Sequence, residues 1–202
     1  SGAPAWPGAV GLTDGHIVFV GRGDHVEAPA ADLTIDAAGL VLAPGFIDVH
    51  THSDLAPFTD PWMDSALRQG VTTVVVGNCG MSAWPRAGLG PLGAYLSTTP
   101  EALPAWGAFD DYLTAIDAVQ PACNVAALVG FGSLRTQVMG HERRPAAPTE
   151  TGEMRRLLGE AMQAGALGIS SGLIYVPDMY ATTEEVAAVA AAATPFGGLY
   201  TT

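Results

Sequence analysis

Hydrophobic and polar positions change their rhythm once along the chain, near Pro44-Gly45. Before that point the apolar runs are short and strand-like. Val10 to Leu12 and Ile17 to Val20 flank Asp14-Gly15, a dipeptide that tolerates positive φ and predicts a hairpin turn. Leu33 to Asp36 and Leu40 to Ala43 flank a second turn at Gly39. Residues 1–43 therefore read as part of a small β unit. After Pro44, strand-like runs alternate with helical periodicity. Phe46 to Val49, Val71 to Gly77, Val125 to Val129, Leu167 to Ser170 and Leu199 to Thr202 predict five strands. Between them, Trp62, Met63, Ala66 and Leu67 share a helical face, as do Phe109, Tyr112, Leu113 and Ile116, and Met154, Leu157, Leu158, Ala161 and Met162. Thr182 and Glu185 predict a capping box ahead of a helix bearing Val186, Val189, Ala190 and Ala193.

Strand–helix alternation implies a parallel sheet, because parallel strands need helical crossovers. The strands lack polar alternation, which predicts burial on both faces. An open doubly wound sheet and a (β/α)8 barrel both fit. Five strands do not close a barrel, so in the second case residues 44–202 form its first part. The stretch from Gly80 to Ala108, with prolines at 85, 91, 100 and 104, is longer than ordinary connections and reads as a lid.

Composition narrows the partners. The 202 residues carry a formal net charge of -12 and no lysine, and the eight basic residues are arginines without a cluster beyond two adjacent pairs. That argues against nucleic acid and anionic membrane surfaces. No apolar run approaches the ~20 residues of a membrane helix. Two cysteines, Cys79 and Cys123, make no disulfide framework, and a cytoplasmic location is expected.

The candidate chemistry lies at strand ends. His50 and His52 are alternate residues after Phe46-Ile47-Asp48-Val49, so on an extended strand they point the same way and could converge on one ion. Imidazole suits zinc, cobalt, nickel or iron. Two ordinary polar residues at a strand end would look the same. Cys79, in Gly77-Asn78-Cys79-Gly80 at the end of the next strand, shifts the balance toward a metal site, since a thiolate is a good zinc ligand and neighbouring strands lie ~5 Å apart. A nucleophilic role for Cys79 with a histidine base is the lesser alternative. Cys123 reads as structural, and His16, His25 and His141 as solvated. Tyr175, in Ser170-Ser171-Gly172-Leu173-Ile174-Tyr175, offers a hydroxyl near the same edge, though a tyrosine packed on its loop fits as well.

Four stretches together resemble the amidohydrolase superfamily and, within it, the N-acyl-D-amino-acid deacylases. They are Ala43 to His52, Gln69 to Gly80, Asn124 to Gly130 and Gly165 to Tyr175. Gly-Asn-Cys-Gly is the most specific of these motifs. The resemblance implies an α/β fold: a (β/α)8 TIM-type barrel, of which about the first five strands are present, with a small β-sandwich domain at the N-terminus. It implies zinc, one or two ions, held by His50, His52 and Cys79, with the cysteine in place of the carbamylated lysine of related enzymes. It places Tyr175 against the substrate, and the general-base aspartate and further histidine ligands beyond Thr202. The implied reaction is hydrolysis of an N-acyl-D-amino acid to a carboxylate and a free D-amino acid. The implied partners are that small molecule and the remainder of the barrel. Relatives carry histidine where this chain has Phe131. The competing expectations are a non-catalytic fragment or pseudoenzyme, with exposed strand edges, and a cyclic-amide hydrolase of the same superfamily.

Overall fold

A computed structural model describes residues 4–90 and 103–202, in two compact units, Ser1–Pro44 and Gly45–Thr202. In the first unit, β1 (Gly8–Thr13) and β2 (His16–Arg22) pair antiparallel. Asp14 and Gly15 both adopt positive φ at the turn, as a two-residue hairpin loop requires. The runs expected as strands at Leu33 to Asp36 and Leu40 to Ala43 have no ladder; the turn between them is held by the Leu40 N–H on the Ala37 carbonyl and the Ala38 N–H on the Asp36 carboxylate. Their apolar pattern alone does not make a strand, since a strand exists through a partner's hydrogen bonds.

The second unit is α/β. Its strands are β3 (Phe46–Asp48), β4 (Val71–Val76), β5 (Asn124–Gly130), β6 (Gly168–Ser170) and β7 (Leu199–Thr201). They form one parallel sheet in the order β3-β4-β5-β6-β7. This order decides between the two architectures. A doubly wound sheet reverses its strand order at a switch point, whereas a barrel adds each strand beside the last.

Helices α1 (Ala56–Thr59), α2 (Asp64–Leu67), α3 (Phe109–Val119), α4 (Phe131–Met139), α5 (Pro148–Gln163) and α6 (Thr183–Ala190) lie in the connections. The predicted faces largely meet the core. Phe109, Tyr112 and Ile116 of α3, and Met154, Leu158 and Ala161 of α5, are buried. Each large side chain among these contributes about 1.5–3 kcal/mol by leaving water. Trp62 departs from its expected face and is exposed, because α2 starts only at Asp64.

The expected burial of every strand is corrected. The edge strands are not buried: Phe46 and Ile47 of β3 and Leu199 of β7 are more than half exposed, while the ends of β4 and β5 and all of β6 are buried. Burial on both faces needs neighbours on both sides, which only the central strands have. Of the long stretch after Cys79 expected as a lid, residues 91–102 lie outside the described residues. Its described flanks pack in the core, with Ala83, Trp84, Leu89, Leu103 and Trp106 buried. Trp84 meets Phe109 edge-on, and Trp106 stacks on Phe58.

Candidate metal centre

The site is assembled at the C-terminal ends of β3, β4 and β6. His50 and His52 follow β3, and the Thr51 N–H bonds the Val75 carbonyl of β4, extending the ladder into the histidine segment. The Asp48 carboxylate accepts the His50 N–H at 3.1 Å. Cys79 follows β4 after a break in extended geometry. Gly77, Cys79 and Gly80 all take positive φ. For Cys79 that left-handed backbone costs on the order of 1–3 kcal/mol, and its surroundings must hold it. Gly77 admits no side chain, since a Cβ would lie 2.1 Å from the Leu128 carbonyl oxygen.

The resulting turn aims the sulfur at the histidines. His50 Nε2 stands 3.1 Å from Cys79 Sγ, and the two imidazoles meet edge to face with centroids 6.0 Å apart. One ligand atom from each of His50, His52 and Cys79 lies within 4.8 Å of the others. Donors about 2.0–2.3 Å from one tetrahedral zinc are separated by about 3.5 Å, so the spacing and the two-nitrogen, one-sulfur chemistry fit such an ion. Burial and the neighbouring His50 lower the His52 pKa, which favours the neutral imidazole that ligates. Burial raises the Cys79 thiol, which works against the thiolate until a cation arrives.

Several residues that sequence reasoning passed over hold this arrangement. Asn78 is buried, and its amide donates to the carbonyls of Val75 at 2.9 Å and Thr51 at 3.4 Å. It thereby ties the histidine segment to the cysteine turn. Ser170 Oγ accepts the Gly80 N–H at 3.0 Å and donates to the Gly77 carbonyl, bracketing Cys79 from β6. The Ser133 N–H bonds the Gly80 carbonyl from the first turn of α4. Two buried carboxyls sit nearby. Burial pushes Asp54 up to about 7, against the pull of backbone N–H groups at Asp54, Ala83 and Gly77. Burial pushes Asp178 up to about 7 as well, with the Gly172 N–H and Arg135 pulling down and Glu185 pushing up.

Tyr175 stands beside the cysteine turn without joining the ligand cluster. Gly172 separates them: a Cβ there would lie 2.2 Å from the Cys79 carbonyl oxygen and 2.8 Å from the Tyr175 ring. Cys123 is buried and its thiol donates to the Val71 carbonyl, while His16, His25 and His141 are exposed and outside the cluster. Both cysteines are free. Phe131 is fully buried in the core at the start of α4.

Residues 33–199 match the Amidohydrolase family. The chain belongs to that family. Among amidohydrolases it is 42% identical over 187 residues to a D-aminoacylase of Alcaligenes xylosoxydans xylosoxydans, covering 90% of this chain and 39% of that protein. It is 44% identical over 186 residues to an N-acyl-D-aspartate deacylase of the same organism, covering 92% and 36%. A crystal structure of D-aminoacylase superposes with a TM-score of 0.88 at 40% identity, over 98% of this chain and 41% of that one. The zinc and phosphonate-inhibitor complex of N-acyl-D-glutamate deacylase from Bordetella bronchiseptica superposes at 0.86 and 37% identity, over 99% and 41%. The present amidohydrolase chain thus spans about two fifths of the length of these relatives, and its parallel sheet is the half-barrel of their fold.

Proposed function

We propose that this chain supplies the first half of a zinc-dependent D-aminoacylase-type barrel, which hydrolyses the amide bond of N-acyl-D-amino acids. The observation that carries the reading is the convergence of His50, His52 and Cys79 at adjacent strand ends. The relatives named as D-aminoacylase and as N-acyl-D-aspartate and N-acyl-D-glutamate deacylases support it.

In this reading His50 and His52 hold one or two zinc ions through ring nitrogens, and Cys79 through Sγ. When bound, zinc polarises the acyl carbonyl and lowers the pKa of the attacking water. Cys79 gives up its thiol proton on taking the ligand role, as a metal-bound thiol does. Asn78 and Ser170 keep the three donors in register. Tyr175 donates its hydroxyl to the substrate from the rim. Among the described residues no carboxylate joins the three-donor cluster. The family resemblance assigns the general base to the second half of the barrel, and the two exposed edge strands, β3 and β7, are its docking edges. Residues 1–43 contribute to a small β-sandwich. Free cysteines, the acidic charge and the lack of basic clusters support a cytoplasmic enzyme with no nucleic-acid or membrane partner. Among the described residues no helix is long and apolar enough to cross a membrane.

The test is zinc analysis of the intact polypeptide together with an assay on N-acetyl-D-amino acids and their L enantiomers. Bound zinc with D-selective release of acetate supports the reading. Absence of both bound zinc and D-selective hydrolysis overturns it.

A further inference from the structure

Asp178 sits where three site loops meet, and no hydrophobic or metal-binding pattern singles it out in the sequence. It is 2% exposed. Its Oδ2 accepts the Gly172 N–H at 2.9 Å. A Cβ on Gly80 would lie 2.2 Å from Oδ2, and a Cβ on Gly132 would lie 2.1 Å from Oδ1. The carboxylate therefore packs directly against bare backbone after β4, β5 and β6 together. Gly80 follows the cysteine turn, Gly132 lies in the first turn of α4, and Gly172 begins the loop that carries Tyr175.

That loop has few other anchors. Leu173, Ile174, Tyr175 and Val176 are all exposed; the bond from the Tyr175 N–H to the Gly172 carbonyl is internal to the loop, and the Tyr175 carbonyl accepts the Met179 N–H from the segment that carries Asp178. Gly172 is itself the spacer between the Cys79 carbonyl and the Tyr175 ring. Behind Asp178 lies a buried ion pair, Arg135 with Glu185. Arg135 also donates to the Arg144 carbonyl, and Glu185 accepts the Ala146 N–H at 2.8 Å. These bonds fix the guanidinium whose charge acts on Asp178.

We propose that Asp178 is a positioning residue for the reaction: through the Gly172 N–H it locks the 172–176 loop onto the cysteine turn and so sets where Tyr175 meets the substrate. The proposal rests on the substrate role assigned to Tyr175 above. Burial of an acceptor at a single backbone donor is enough for this, because an unrestrained exposed loop samples many conformations, and misplacement of a contact by about 1 Å can cost up to about a hundredfold in rate.

The experiment uses the intact zinc-loaded polypeptide and two readouts. In Asp178→Ala, amide exchange at Gly172 and Tyr175 rises about tenfold or more, while exchange at Leu158 in α5 does not change. The same substitution lowers kcat/KM about tenfold, chiefly through KM, but less than about twofold when made in Tyr175→Phe, because the two residues act through one contact. Asp178→Asn, which keeps an acceptor oxygen, restores most of both signals. If the alanine variant does not fold, Asp178→Val, which removes the acceptor but fills the space, carries the same expectations. Unchanged exchange at Gly172 overturns the proposal, and so does an equal loss of kcat/KM in both backgrounds. If Tyr175→Phe alone leaves kcat/KM unchanged, it is the reading of Tyr175 that fails, and the exchange result still decides for or against Asp178.

Discussion

Removing the Glu185 carboxylate should be the most damaging single change outside the His50, His52 and Cys79 cluster. Its partner Arg135 has a side chain with no exposure, and the Glu185 side chain is 4% exposed. In Glu185→Ala the guanidinium keeps the Arg144 carbonyl but loses its counter-charge, and the Ala146 N–H loses its acceptor. Breaking a buried pair from one side costs about 3–5 kcal/mol, since the surviving charge stays out of water. The lost Ala146 bond falls within that range, at about 1 kcal/mol. Asp178 offsets a little of the cost: with Glu185 gone, the repulsion that raises its pKa is lost, and Arg135 holds more of it ionised. At about 2–4 °C per kcal/mol for a chain of this size, the melting temperature should fall by roughly 6–20 °C. Urea unfolding at pH 7, followed by circular dichroism and tryptophan fluorescence, measures the loss directly. The loss should be insensitive to salt, because buried pairs are little screened. The double change Arg135→Met with Glu185→Leu removes both charges and should lie within about 2 kcal/mol of the parent. A loss below about 1 kcal/mol for Glu185→Ala would refute the reasoning, as would a double variant no better than the single one.

Zinc loading near pH 7 should release about one proton per chain from the Cys79 thiol, read by calorimetry in buffers of different ionisation enthalpy; Cys79→Ser should lose that proton and about a hundredfold or more in affinity. Asn78→Ala leaves the Val75 and Thr51 carbonyls without their side-chain donor and should cost about 1–3 kcal/mol in unfolding free energy, with weaker zinc binding by titration. Stability should also depend on pH through Asp178. Its folded pKa of about 7 lies above the ordinary 3.8, so the folded chain binds more protons than the unfolded one between those values. That contribution is complete below about 4 and is lost as pH rises through 7; Asp178→Asn should reduce the slope in urea titrations across this window and leave the share of Asp54, which is raised to about 7 as well.

Local rhythm in the sequence determined much of this protein. The alternation of apolar runs placed five strands and the faces of α3 and α5, and the alternate histidines after β3 already pointed to one side of a strand. Thr182 was legible as a cap, and its hydroxyl does accept the Glu185 N–H at 3.2 Å. These features depend on residues a few positions apart, where backbone geometry alone decides which side chains share a face. What only the tertiary structure decided lies between residues far apart in the chain. Glu185 looked like the second half of a capping box, yet its side chain turns inward to Arg135, fifty positions away. The sequential strand order separated barrel from doubly wound sheet, and left β3 and β7 as exposed edges. Asn78, Ser170 and Asp178 are ordinary polar residues by composition. They become the frame of the candidate metal site only because parallel register brings the ends of β3, β4 and β6 together, and a buried polar group must then find its partner among whatever backbone that register supplies.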